Sequence, residues 1–294
     1  MVSYDADVSG WSPAFDHGER PQPLSLIFAF ARERMLVLEA GERSAVPRCQ
    51  DLPPDVLDGS RPIYIGRLDG APCFAVSLDF EPELEGARLR GLRELFLRLS
   101  EVQVAIAGRA SQTVEWYLAH AFCGRCGAPT QLSTTELART CPDCGALHFP
   151  RITPAVIMLV ERGDRILLAR NANFRGPFWS CLAGFVEPGE TLEQAVAREV
   201  REEVGLELEG IRYFGSQAWP FPSQMMVGFE ATARAGEFSL QDSEIVEAGW
   251  FGPGDLPQLP GPFSIARRLI DAWVAGDREA VSYTHLTLPT ILRV

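Results

Sequence analysis

Two glutamates four residues apart, Glu199 and Glu203, stand in GFVEPGETLEQAVAREVREEVGL (residues 184–206), a stretch that otherwise reads as a loop running into an amphipathic helix. At about 100° per residue, Leu192, Ala195, Val196 and Val200 share one apolar stripe, and both glutamates fall inside it. Positions i and i+4 lie one above the other on a helix. Like charges so placed repel, and burying them unpaired is costly. A divalent cation reverses both penalties, so the pattern points to carboxylate ligands for a hard metal. Glu202 and Arg198 lie beside this face, where an arginine fork can bridge and orient carboxylates. The competing reading, a solvated acidic helix, predicts carboxylates opposite the apolar stripe rather than within it. Thr191 with Gln194 forms a capping-box pattern and Gly205 sits where a C′ glycine ends a helix, which sets the expected limits of this one.

A second cluster has a different chemistry. CGRCG (123–127) and CPDCG (141–145) are Cys-x-x-Cys knuckles separated by fourteen residues, each with glycine after its second cysteine. Cys123, Cys126, Cys141 and Cys144 can close a tetrahedral thiolate shell, which is a structural Zn²⁺ site with no open position for catalysis. A disulfide pair suits a secreted chain, and a redox pair would ignore the second knuckle. Zinc ribbons also occur in nucleic-acid proteins, so the ribbon alone leaves a binding module open.

These groups need elements to position them. Strand-like runs occur at 24–31, 34–40, 62–68 and 73–80, followed by helical stretches around ARLRGLRELFLRLS (87–100) and SQTVEWYLAHA (111–121). Residues 1–118 are expected to form an α+β scaffold domain, 119–150 the ribbon, and 151–276 a third domain. In the last, TPAVIMLVERGDRILLAR reads as a hairpin turning at Gly163-Asp164, followed by the carboxylate helix, strands at 211–219 and 225–233, and a final helix around 263–276. Residues 281–294 do not fit: VSYTHLTLPT resembles a translated sequencing adapter, so this tail is expected to be non-native; a genomic clone that carries it intact would overturn that.

The chain has 294 residues, 46% apolar and 22% charged, as a globular protein does. Its apolar runs are too short to span a bilayer, and MVSYDADVSGW lacks a basic start and an apolar run, so a cytoplasmic location is expected and no membrane partner. A net charge of −12 argues against a broad basic face for nucleic acid. A phosphorylated substrate would need local positive charge, which a bound cation supplies.

The segment 184–206 resembles the Nudix box, Gly-x5-Glu-x7-Arg-Glu-aliphatic-x-Glu-Glu-x-Gly-aliphatic, matched without a gap by Gly184, Glu190, Arg198, Glu199, Val200, Glu202, Glu203, Gly205 and Leu206. Seven fixed residues at about 7% each make a chance match on the order of 10⁻⁸ per start position, so coincidence is set aside. The resemblance implies an α/β/α sandwich and Mg²⁺- or Mn²⁺-dependent cleavage of a nucleoside diphosphate linked to another group. Downstream, SQAWPFPSQ (216–224) is similar to the signature SQPWPFPxS of the NADH pyrophosphatases within the family, with Ala218 and Gln224 as departures. The ribbon directly before the box, HFPRITPAVI (148–157) and SIARRLIDAW (264–273) support the same branch.

What that resemblance implies can be placed residue by residue. Glu199, Glu203, the Ala183 carbonyl and Glu244 would bind the metal, with Glu202 as a further ligand or base and Arg198 beside them. Phe185 and Phe149 match positions whose aromatics stack on the substrate base, Phe149 reaching a partner subunit's site in a homodimer. Ser216, Gln217, Trp219, Pro220, Phe221 and Pro222 would contact the dinucleotide; read from the residues alone, two prolines and two aromatics make a stiff loop that serves substrate or core equally well. The implied reaction is hydrolysis of NADH or NAD⁺ to NMNH or NMN plus AMP, with removal of an NAD cap from RNA as a second activity. A broader ADP-ribose or nucleotide-sugar hydrolase stays open because of the two departures, and a non-catalytic sensor is disfavoured by the complete box.

Overall fold

The computed structural model describes residues 9–57, 59–172, 176–234, 236–237, 239–240 and 244–276. The tail 281–294 lies outside the described residues. The described residues divide into two compact units, one within residues 9–153 with 218–225 and one within residues 154–217 with 226–276.

In the first unit, seven strands among the described residues form one sheet: β1 (Trp11–Pro13), β2 (Leu26–Ala31), β3 (Arg34–Ala40), β4 (Arg43–Ala45), β5 (Ile63–Leu68), β6 (Ala71–Leu78) and β7 (Ala87–Gly91). The order is β1-β5-β6-β2-β3-β4, with β7 on β3. The central strand β2, LIFAFA, is buried at every position and runs parallel to β6. Such a continuous apolar run fits a strand covered on both faces. Phe28 and Phe30 pack with Leu95, Ile106 and Ala110 on one face, and Ile27 and Ala29 pack with Phe74 and Val56 on the other. The one-turn helix α1 (Pro54–Leu57) supplies Val56; α2 (Leu92–Leu95) and α3 (Glu101–Ala119) supply the first set.

Of the helix expected around 87–100, only one turn forms. Residues 87–91 form β7, paired antiparallel to β3, and α2 is a single turn. Ala87, Leu89 and Gly91 alternate with Arg88 and Arg90, a period of two that the surrounding leucines obscured. The helix expected at 111–121 begins ten residues earlier, at Glu101, because Ser100 caps it: its hydroxyl accepts from the Gln103 N–H (3.4 Å), and the Gln103 side chain accepts from the Ser100 N–H (3.3 Å).

The cysteine segment folds as three short antiparallel strands, β8 (Gln131–Leu132), β9 (Arg139–Thr140) and β10 (Leu147–His148), in the order β10-β9-β8. Its knuckles repeat one geometry. Gly127 (φ +79°) donates its N–H to the Cys123 carbonyl at 2.8 Å, and Gly145 (φ +71°) donates to that of Cys141 at 3.0 Å. A positive φ there asks for glycine.

The second unit is an α/β/α sandwich. Its sheet runs β14-β15-β11-β12-β16 with β13 on β11, from β11 (Thr153–Arg162), β12 (Arg165–Asn171), β13 (Leu182–Phe185), β14 (Leu208–Trp219), β15 (Gln224–Ala233) and β16 (Ile245–Phe251). The hairpin at Gly163-Asp164 is present, closing on an Arg162–Arg165 pair. Along β11, Val156, Met158 and Val160 face α4 (Leu192–Val204), whereas Ile157 and Leu159 face α5 (Ile265–Ala275). Both helices carry hydroxyl N-caps, Thr191 and Ser264, and end on left-handed glycines, Gly205 (φ +71°) and Gly276 (φ +72°).

Candidate active site

The strand β13, the loop after it and the helix α4 build the candidate site, and Arg198 organises it. Its Nε and one terminal nitrogen grip Glu190 in a fork (2.6 and 2.9 Å); that same nitrogen donates to the Phe185 carbonyl (2.8 Å). The other terminal nitrogen donates to Glu199 (2.8 Å) and Glu202 (2.9 Å). These five bonds use the five N–H donors a guanidinium has. Glu190 also accepts the Glu187 N–H at 3.0 Å, which folds the loop GFVEPGE back onto the helix. Its carboxyl is held down at about 2, first by Arg198 and then by the Glu187 N–H. Glu190, a residue of the box with no separate task legible in the motif, therefore fixes the arginine that fixes the carboxylates of α4.

Glu199 and Glu203 occupy the inward face, as their place in the apolar stripe required. Glu203 is 5% exposed. A Cβ on Gly184 would overlap the Glu199 carboxylate, so only glycine at that point of β13 lets the carboxylate lie there. Burial pushes the Glu199 carboxyl up; Arg198 pulls it down, and Glu202 and Glu190 push it up again. Glu202 is the outward member, its side chain 57% exposed. A cavity of about 90 Å³ opens beside Glu203, lined also by Ala169, Asn171, Cys181, Leu182, Ala183 and Ile245. One water needs about 10–15 Å³, so this space has room for several waters or a small ion beside the Glu203 carboxylate. Hard oxygen donors, a backbone strand at Ala183 and a cavity of this size fit a divalent cation. Glu244 lies exposed before β16; its carbonyl accepts the Ala172 N–H (2.8 Å), and its neighbour Ile245 lines the cavity. Phe185 is half exposed at the end of β13.

The signature residues divide. Ser216 is exposed on β14. The Gln217 amide is engaged by backbone, donating to the Phe263 carbonyl and accepting from the Ile265 N–H, both at 2.7 Å. It thereby clamps the start of α5. Residues 218–225, with Trp219, Pro220, Phe221 and Pro222, belong to the first unit, and Phe221 packs against that unit's core.

The thiolate quartet is also in the first unit. All four Sγ atoms lie within 4.8 Å of one another, with Cys123–Cys144 at 3.7 Å and Cys126–Cys141 at 3.4 Å. A tetrahedron with metal–sulfur bonds of about 2.3 Å has edges of about 3.8 Å, so the cluster fits zinc. The Cys126 and Arg125 N–H groups and His148 hold the Cys123 thiol down at about 6. The Ala128 N–H favours the Cys126 thiolate, yet crowding by Cys141 and Cys144 drives it up to about 12. A metal ion relieves that crowding. His148 Nε2 lies 3.4 Å from Cys123 Sγ, and the His148 carbonyl accepts from Trp116 Nε1 on α3 (3.0 Å). Sequence reasoning missed this histidine; its position in HFPR beside the second knuckle was the available clue. Phe149, the next residue, is 49% exposed.

Comparison with known proteins bears on this geometry. Residues 151–274 match the NUDIX domain family, 24–116 the NADH pyrophosphatase-like rudimentary NUDIX domain, and 118–149 the NADH pyrophosphatase zinc ribbon domain. The proteins called NAD-capped RNA hydrolase NudC from Stutzerimonas stutzeri (strain A1501) and Pseudomonas putida (strain W619) are 46% and 47% identical over 211 residues, covering 72% of this chain and 76% of theirs. A solved NUDIX hydrolase from Nitrosomonas europaea is 27% identical, with a TM-score of 0.45 over 52% of this chain and 90% of its own. An α/β/α sandwich whose box helix turns its carboxylates inward defines the class, a Nudix hydrolase. Within that class the chain belongs to the NudC family.

Proposed function

We propose that this enzyme hydrolyses the diphosphate bond of NADH and NAD⁺, giving NMNH or NMN plus AMP, and that the same site removes the NAD cap from RNA. The relatives at 46% identity carry the name NAD-capped RNA hydrolase, and the matched domains that of NADH pyrophosphatase. The observation that carries the reading to these residues is the Arg198 hub, which holds the ligand helix and its loop as one piece.

Glu199, Glu203, the Ala183 carbonyl and Glu244 would hold Mg²⁺ or Mn²⁺, which neutralises the diphosphate and acidifies bound water. Around it, Arg198 favours the charged form of Glu199 and keeps it aimed. The attacking water gives its proton to a box carboxylate of α4, Glu202 being the most exposed of the three. Its oxygen bonds to phosphorus as the bridging P–O bond breaks, and the leaving phosphate oxygen takes a proton from solvent. Phe185, Ser216, Trp219 and Pro222 face solvent at least in part and are the residues offered to the dinucleotide; Gln217, Pro220 and Phe221 support them through the packing described. The working parts are residues 1–118, 119–150 with structural Zn²⁺, and 151–276. Exposed Phe122, Leu147, Phe149 and Ile152 in the first unit support a homodimer, testable by light scattering, in which Phe149 serves the partner's site. Four thiolates poised for a soft metal suit the reducing cytoplasm.

Product analysis tests the reaction. With Mn²⁺, the purified chain should give NMNH and AMP from NADH, and Glu203→Gln should lower the rate by more than about 10²-fold. A broader hydrolase is favoured by Ala218 and Gln224 in the signature, and preferential cleavage of ADP-ribose would select it. Cleavage of neither, with metal bound, would leave a sensor.

A further inference from the structure

The rudimentary domain carries no box of its own, yet it holds the signature loop. Arg93, on α2, lays its guanidinium over the Phe221 ring, Cζ to centroid 3.9 Å, and over Trp219 at 5.3 Å. The two rings meet edge to face at 5.0 Å and 67°. Phe96 adds a tilted contact with Phe221 at 6.2 Å, and Phe221 joins Leu99 and Val102 against the first unit's core. From α3, Gly108 faces Pro220: a Cβ there would stand 3.0 Å from the proline Cγ. The end of the loop is tied as well, the Thr153 N–H donating to the Ser223 carbonyl at 2.8 Å. The loop is thus gripped at three consecutive residues by one cation, one aromatic ring and one missing side chain, all from residues 93–108, while Trp219 stays partly exposed.

We infer that Arg93 is a positioning residue for the signature loop, and that the rudimentary domain serves catalysis as the platform on which this loop is set. This rests on the reading above that the loop contacts the dinucleotide. A planar guanidinium stacks on both rings at once, whereas an ammonium is a strongly hydrated point charge that cannot replace the plane. Two prolines stiffen the loop internally, so fixing Phe221 and Pro220 fixes the orientation of Trp219. The positioning therefore acts on binding more than on the chemical step.

The experiment compares Arg93→Met, Arg93→Lys and Gly108→Val with the wild type by two readouts. Hydrogen–deuterium exchange of the 216–226 backbone reports the clasp; steady-state kinetics on NADH with Mn²⁺ report its use. Arg93→Met should speed exchange across the loop and raise KM about three- to tenfold with kcat within about twofold. Arg93→Lys should behave like Arg93→Met, because the plane is lost, and Gly108→Val should reproduce the effect by pushing on Pro220. A merely structural role would lower the active fraction, and so kcat, without moving KM. Exchange and KM both at wild-type values overturn the proposal, as does faster exchange with unchanged KM. If Arg93→Met does not fold, Arg93→Lys and Gly108→Val decide the question by the same two readouts. A wild type that fails to cleave NADH rejects the functional reading instead; the exchange arm then decides the clasp by itself.

Discussion

Arg198 shows how one residue can serve two parts of the site. It bonds Glu199 and Glu202 on its own helix and Glu190 on the loop, so the folded loop and the aimed carboxylates are one network. Glu190 gives that network a pH dependence. Its carboxyl drops from 4.5 to about 2 in the folded chain, because Arg198 and the Glu187 N–H favour the charged form. A depressed acid contributes stability that is complete above pH 4.5 and drains away as pH falls toward 2. Glu190→Gln removes that contribution. It should lower the Tm at neutral pH and flatten the fall in Tm between pH 4.5 and 2, which a calorimetric pH series would show. An acid limb as steep in the variant as in the wild type would mean that other carboxylates carry it.

At the scale of elements, α4 links stability to the placement of its carboxylates. Thr191 Oγ1 accepts the Gln194 N–H (3.2 Å) while the Gln194 side chain accepts the Thr191 N–H (2.8 Å). Thr191→Ala should cost about 1 kcal/mol and lower the second unit's Tm by about 2–4 °C, with kcat nearly unchanged at temperatures where the helix is intact. A large loss of kcat at room temperature would show that the cap also sets the carboxylates. This helix was legible because its caps and its two misplaced glutamates are local facts of the chain. The strand β7 was not: leucines at helical spacing masked a period of two, and pairing with β3, a tertiary event, decided the outcome. The signature was legible as a loop but not in its partners. Gln217 finds its backbone partners 46 and 48 residues away, and Arg93 lies 126 residues before Trp219, distances over which a single sequence carries no pairing information.

Across the whole molecule the two metal chemistries fall in different units, and that separation is itself testable. The quartet offers four sulfurs and the box offers oxygens, so a soft and a hard cation sort themselves by ligand type. The knuckle spacing made the first site legible from sequence, whereas the second unit's cavity beside Glu203 became visible only once β13 and α4 had packed. Dialysis against a chelator that strips Mg²⁺ or Mn²⁺ should abolish hydrolysis, and either ion should restore it, while one zinc per chain is still counted by atomic emission. Cys141→Ser should lose that zinc and lower the melting of the first unit, because the ribbon's knuckles close around the metal. The second unit builds its own core on α4, α5 and the β11 sheet, so its melting should hold. Residues 218–225, proposed above to meet the dinucleotide, belong to the first unit, so the same variant should raise KM for NADH more than it lowers kcat. If kcat collapses with KM unmoved, the ribbon supports the chemical step directly and the division of labour between the units is wrong.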